Sequence, residues 1–185
     1  MSVTLEEILP SAEVLEQRER DAARYNESRQ EWERQWRLSG RSLARHLVED
    51  VHDHHRRGFA QVIAMVEERK TRGEETVVSA DVVRSLRWRV QGLQGHHSLE
   101  DASFFPLVKQ RFPDRALEVD VLEGDHQRLH PLEDVVLDSD GTHPSDEIRL
   151  AALQEFIAFL NDHLNREEML TVPLMLQHPE YSYWW

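Results

Sequence analysis

Histidine and glutamate are the residues with which this sequence can do chemistry. The chain holds eleven histidines and no cysteine in 185 residues. The histidines gather as His52, His54 and His55, then His96 and His97, then His126 and His130, then His163. Two segments repeat one another: residues 96–107 read HHSLEDASFFPL and residues 163–174 read HLNREEMLTVPL. Each carries a histidine, a glutamate four residues later, an acid directly after it, and a Pro-Leu step starting six residues beyond the glutamate. Residues four apart share one face of a helix, one turn up. Each pair can therefore grip one metal ion or straddle two. Imidazole and carboxylate without thiolate suit iron, manganese or zinc. The lack of cysteine excludes disulfides, zinc ribbons, iron–sulfur clusters and thiol catalysis.

Two further segments complete the set. His52 and His126 each lie on an apolar stripe, and His130 follows His126 by one turn. Together His52, His96, Glu100, His126, His130, His163 and Glu167 offer five imidazoles and two carboxylates. That set suits two six-coordinate metals if both carboxylates bridge, with room for an oxo bridge and one open position. A lone histidine on an apolar stripe is ordinarily a hydrogen-bonded core residue. Here four segments each carry one at similar depth, and leaving all of them buried without a metal would cost several kcal/mol in unsatisfied polar groups. His46, His54, His97, His143 and His178 read as flank, loop or tail residues.

Helices must position these groups. Val48, His52, His55, Phe59, Val62 and Val66 alternate steps of four and three, which predicts a helix over about 42–70 with Gly73 beyond its end. A second starts at the N-cap Ser79, with Asp81 in its first turn, and carries Leu86, Val90, Leu93, His96 or His97, Glu100 and Phe104. Pro106 is expected to end or bend it. A third opens at Pro113-Asp114 with Leu122, His126 and Leu129 inward, kinks at Pro131 and closes at Asp140-Gly141. A fourth follows Pro144-Ser145, has Asp146 and Glu147 in its first turn, aligns Leu153, Ile157, Leu160, His163 and Glu167, and ends at Pro173. No stretch alternates as a strand. The economical fold is all-α: an antiparallel up-down four-helix bundle with an N-terminal helical extension.

Residues 1–40 form that extension, 41–178 the bundle and 179–185 a tail. The extension predicts a helix from Pro10-Ser11 to about Trp36, rich in Glu, Arg, Gln and Ala, with a break at Ser39-Gly40. Its stripe of Leu15, Ala22, Tyr25, Trp32 and Trp36 is thin, so it reads as a helix laid along the bundle and not as a functional arm. Hydrophobic residues make up 39% and charged residues 31%, which suits a soluble protein. No apolar run approaches the roughly 18 residues of a membrane span. The first residues are acidic where a signal peptide is basic and then apolar, so the expected location is cytoplasmic. A net charge of −13 argues against nucleic-acid binding.

At these motifs the sequence resembles the hemerythrin-like proteins, also called the HHE cation-binding family. The resemblance covers about residues 42–176. Members follow the pattern H … HxxxE … H(xxxH) … HxxxE/D, matched here by His52, His96-x3-Glu100, His126-x3-His130 and His163-x3-Glu167. The Phe105-Pro106 end of the second helix is also similar. The family's oxygen-carrier branch places an aspartate five residues after the fourth-helix histidine, where this chain has Glu168; the internal repeat favours Glu167. His55 stands where an aliphatic residue is expected, and reads as a supporting hydrogen-bond donor or an alternative ligand.

The resemblance implies two iron ions, oxo-bridged, that bind dioxygen, nitric oxide or peroxide for storage, sensing or detoxification. Phe59, Leu93, Phe104 and Leu160 are expected to keep the pocket dry. The family's iron-centre repair proteins commonly carry a cysteine-containing N-terminal domain, and this chain has no cysteine. No flavin, nicotinamide or signalling motif is visible, so turnover or signalling calls for a redox or signalling protein partner. Binding without turnover is the first reading. A peroxide- or nitric-oxide-consuming enzyme is the second, and a structural bundle with adventitious metal the third. A ferritin-like di-iron oxidase or iron-handling protein competes on residue types, through Glu49-x2-His52 and Glu123-x2-His126. It ranks lower because it leaves His96 and His163 without a role.

Overall fold

The computed structural model describes residues 4–39, 43–74, 78–138 and 144–178. Gly40, Ser42, Asp140-Gly141, His143 and the tail at 179–185 lie outside them. All regular structure among the described residues is helical. Helix α1 (Leu5–Ile8) is a single turn closed by a capping box between Thr4 and Glu7. Helix α2 (Ala12–Ser39) starts after Ser11, whose hydroxyl accepts from the Val14 amide at 3.3 Å. Helix α3 spans 43–71, and helix α4 spans 80–111. A short 3₁₀ turn, Pro113–Arg115, leads into helix α5 (Ala116–Leu137). Helix α6 (Asp146–Gln177) is capped by Ser145, which accepts from the Ile148 amide at 3.3 Å.

Both α3 and α4 contain one widened π-helical stretch, His46–His52 and Glu100–Phe104. The amide of Asp53 reaches back five residues to the Val48 carbonyl, and that of Phe105 to the Glu100 carbonyl. Such turns concentrate at functional sites because they re-aim side chains that a regular helix would spread. In α4 the widened turn also changes the outcome at Pro106. The helix does not end there but continues to Arg111. Proline lacks an amide hydrogen and its ring crowds the carbonyl four residues back; the wider turn just before it eases the crowding. Pro131 and Pro173 likewise lie inside α5 and α6, which run on to Leu137 and Gln177. Packing of Val136 beyond Pro131, and of Leu174, Met175 and Leu176 beyond Pro173, outweighs the lost bond.

Helix α3 ends in a glycine stop. Gly73 adopts φ +70°, its amide reaching the Lys70 carbonyl and that of Glu74 the Arg69 carbonyl. Helix α3 packs on α4 and α6, and α5 packs on the same two. The apolar core falls into clusters separated by a polar layer. One holds Phe59, Val62 and Val66 of α3, Leu86 and Leu93 of α4, Leu129 of α5 and Leu153, Phe156 and Leu160 of α6. A second holds Phe104 and Phe105 of α4, Val119 and Leu122 of α5 and Leu170 of α6. Each large side chain so buried contributes about 1.5–3 kcal/mol. Phe59, Leu93 and Leu160 thus line one side of the polar layer and Phe104 the other.

Helix α2 lies against α6. Tyr25, Trp32 and Trp36 are buried with Ala44, Val48 and Val172, while Leu15 remains exposed. Arg18 pairs with Glu155 at 2.6 Å and with Asp162.

Candidate metal centre

The polar layer contains two groups of side chains whose ligand atoms lie within 4.8 Å of one another. The first is His52, His96, Glu100 and Glu167; the second is His97, Glu100, His126 and His163. Glu100 belongs to both. Its Oε1 lies 3.1 Å from His96 Nε2 and its Oε2 3.5 Å from His126 Nε2. Glu167 also faces both sides, its Oε2 lying 3.2 Å from His52 Nε2 and 3.9 Å from His163 Nε2. Across the layer the Nε2 atoms of His52 and His96 are 3.2 Å apart, as are those of His126 and His163.

The structure brings six of the seven sequence-derived candidates together and leaves His130 out. The His130 ring is largely exposed and lies 3.3 Å from Glu133. His97, read from sequence as a flank residue, is inside instead. It is buried and stacked on His126, ring centroids 3.9 Å apart and planes 11° from parallel. His55 belongs to neither group and stacks on His96 at 5.4 Å. Glu49 and Glu123, the ferritin-like candidates, point elsewhere, pairing with Arg45 and Lys109 at 2.7 Å each.

Two acids brace the imidazoles from behind, and a third stands near His163 without bonding it. His52 Nδ1 donates to Glu168 Oε1 at 2.9 Å, and His126 Nδ1 to Asp101 Oδ1 at 2.9 Å. Asp125 Oδ2 lies 3.6 Å from His163 Nδ1, too long for a good bond, and accepts from Arg166 at 2.6 Å. Glu168 is held further by Arg56 at 2.7 Å and by the Tyr25 hydroxyl at 2.5 Å. Sequence reasoning gave Asp101 and Asp125 no role and weighed Glu168 only as an alternative to Glu167, although the signal was present. Asp101 and Glu168 are the repeated acid directly after each glutamate of the internal repeat. A carboxylate on the far ring nitrogen fixes the tautomer and leaves Nε2 free as a donor to metal.

The electrostatics are those of a cation site. Burial disfavours a charged His52, but Glu167 and Glu168 outweigh it and lift the imidazole to about 9. Burial, reinforced by Glu167, raises the Glu100 carboxyl well above its ordinary range. Burial would raise Glu167 too, yet His52 beside it holds that carboxyl far down. Burial lowers His96 to about 3 and drives His97 far below the usual imidazole range, assisted by neighbouring imidazoles in both cases. Both oxygens of Glu100 and of Glu167, together with His97 Nε2, are buried with no hydrogen-bond partner. Orphaned buried carboxylate oxygens are costly. Metal ions are the partners that this donor set fits.

Fold and centre together define a helical bundle with an interior histidine–carboxylate cluster able to hold metal cations. The profile of the Hemerythrin HHE cation binding domain matches residues 43–175, and the chain belongs to that family. No curated protein and no solved structure matches it. None of the helices, among the described residues, is long and apolar enough to cross a membrane.

Proposed function

We propose that the protein is a cytoplasmic non-haem di-iron protein that binds dioxygen, nitric oxide or peroxide. The observation that carries this reading is the pair of donor groups sharing Glu100, with four buried carboxylate oxygens left without hydrogen-bond partners. One ion would be held by His52, His96, Glu100 and Glu167 and the other by His97, Glu100, His126 and His163, with Glu167 positioned to reach both. When bound, iron supplies reversible one-electron chemistry and an open position for a small ligand.

The chain's own residues do the rest. Glu168 and Asp101 hold His52 and His126 with Nε2 inward. Phe59, Leu93 and Leu160 keep water from one side and Phe104 from the other. A cavity of about 430 Å³, lined by His54, His55, Phe59, Trp88, Arg89 and Gly92 among others, opens beside His55, whose ring stacks on His96; it is the proposed way in. The antiparallel up-down arrangement is part of the proposal. Along α4 and α6 the chain passes from the Leu93 cluster through the polar layer to the Phe104 cluster, and along α5 it passes the other way.

Protein produced with iron is expected to hold about two irons per chain by metal analysis. One tightly held zinc and no iron would defeat the reading. Binding without turnover is the first reading. Steady peroxide disproportionation or nitric oxide consumption by the pure iron-loaded protein would replace it with an enzyme. A ferritin-like centre is disfavoured because Glu49 and Glu123 are engaged in ion pairs away from the layer.

A further inference from the structure

We infer that Tyr25, on a helix outside the family-matched residues 43–175, is a positioning residue of the metal centre: with Arg56 it locks Glu168 onto His52 and keeps that carboxylate from competing with Glu167. The inference rests on the proposal that the centre holds metal ions.

Consecutive residues of a helix diverge by about 100°, so Glu167 and Glu168 take opposite sides of the His52 ring. Glu167 Oε2 meets Nε2 at 3.2 Å and Glu168 Oε1 meets Nδ1 at 2.9 Å. Both glutamates are fully buried. What separates their roles is what else each touches. Both oxygens of Glu167 lack a hydrogen-bond partner. Glu168 is saturated: Oε1 accepts from His52 and from Arg56 at 2.7 Å, and Oε2 accepts from the Tyr25 hydroxyl at 2.5 Å.

The Tyr25 proton has its direction fixed. Arg29 donates to the Tyr25 oxygen at 3.1 Å, so the hydroxyl hydrogen turns to Glu168. Arg29 also grips Asp53 through two bonds of 2.9 and 2.6 Å, and Asp53 takes Arg56 at 3.2 Å. Tyr25, Arg29, Asp53, Arg56 and Glu168 thereby close a ring of hydrogen bonds joining α2, α3 and α6, and Asp53 directly follows His52. A bare surface helix would need no such circuit. Without the tyrosine hydroxyl, Glu168 Oε2 is orphaned in a dry interior, and the carboxylate gains a reason to turn.

Tyr25→Phe tests this, because it keeps the ring that packs on Trp32 at 6.1 Å and removes only the hydroxyl. Iron-loaded Tyr25→Phe is expected to lose iron to a chelator about ten- to a hundredfold faster than wild type, the range for supporting ligand contacts, with its near-ultraviolet bands displaced. In metal-free protein with nitrogen-labelled histidine, the His52 Nδ1–H signal should move or broaden. Trp32→Phe, which thins the packing of the same helix, should lower thermal stability without either change. The inference is overturned if Tyr25→Phe leaves the chelation rate and the His52 signal as in wild type, or if Trp32→Phe alters them equally. Wild-type protein that takes up no iron would refute the functional proposal instead, and the His52 signal in metal-free protein would then decide for or against the role of Tyr25.

Discussion

Replacing His97 by leucine should move metal binding and metal-free stability in opposite directions. The ring is buried to 5% exposure, and its Nε2 has no hydrogen-bond partner. An unsatisfied buried polar atom costs about 1–3 kcal/mol. Leucine is similar in volume and carries no polar atom, so it keeps the packing against His126 and removes that cost. The metal-free variant is expected to be more stable by about 1–3 kcal/mol, which for a chain of this size raises the midpoint by about 2–4 °C per kcal/mol. Supporting contacts behind a ligand are worth about ten- to a hundredfold in affinity. A residue that donates directly should exceed that range, so iron affinity should fall at least about a hundredfold, or about 2.7 kcal/mol. His130→Leu is the matched comparison. Its ring pairs at the surface, where an ion pair is worth about 0–1 kcal/mol, and it should leave iron content unchanged. Calorimetric unfolding of both metal-free variants and iron titration by competition give the readouts. A His97→Leu protein that binds two irons normally, beside a His130→Leu protein that does not, would refute the assignment.

Further outcomes follow from the same geometry. Glu167→Ala should empty the site, whereas Glu168→Gln should weaken iron binding by about ten- to a hundredfold through His52; equal losses by metal analysis would show that the two glutamates share one role. Glu49→Ala and Glu123→Ala should keep the wild-type iron content and absorption spectrum, and loss of the spectrum in either would restore the ferritin-like reading. A Cβ at Gly92 meets nothing within 4 Å, so Gly92→Phe should fold, keep its iron and slow nitric oxide binding in stopped flow; unchanged rates would place the entry elsewhere. His52 rises to about 9 in the metal-free site, so at neutral pH the incoming ion displaces a proton. Affinity should therefore climb from pH 6 towards pH 9, with protons released on uptake; a flat profile would contradict the charge state described.

Much of the architecture was readable because every site-bearing helix follows a heptad-like stripe. In α5 Val119, Leu122, His126, Leu129, Glu133 and Val136 step by three and four along one buried seam, with Asp125 buried at its edge. That same stripe explains His130. Stepping four residues from His126 looks inward in isolation, but the step of three to Leu129 continues the seam and leaves His130 on its outer side, about 40° round from His126. His96 and His97 posed the reverse problem. Helical periodicity admits one of two adjacent residues to a face, and the widened turn beginning at Glu100 lies directly beyond the pair. Backbone widening leaves no residue-type signature at 46–52. At 100–104 the clue is Pro106, where the sequence predicts an end or a bend and the helix runs on to Arg111. Tyr25 was hidden for a different reason: its partner Glu168 lies 143 positions away, a separation that no local pattern reports.

The two bracing acids each reach to a different helix, Asp101 on α4 to His126 on α5 and Glu168 on α6 to His52 on α3, and Asp125 on α5 stands near His163 on α6. No pair of consecutive helices therefore owns a finished centre. A chain still emerging during synthesis presents α3 and α4 before α6 exists, when His52 lacks its acceptor and neither donor group has its share of α6. On the proposed reading, tight capture would wait for α6. A chain truncated before Asp146 should bind ferrous iron only loosely, so that metal would enter molecules in which α6 has already folded.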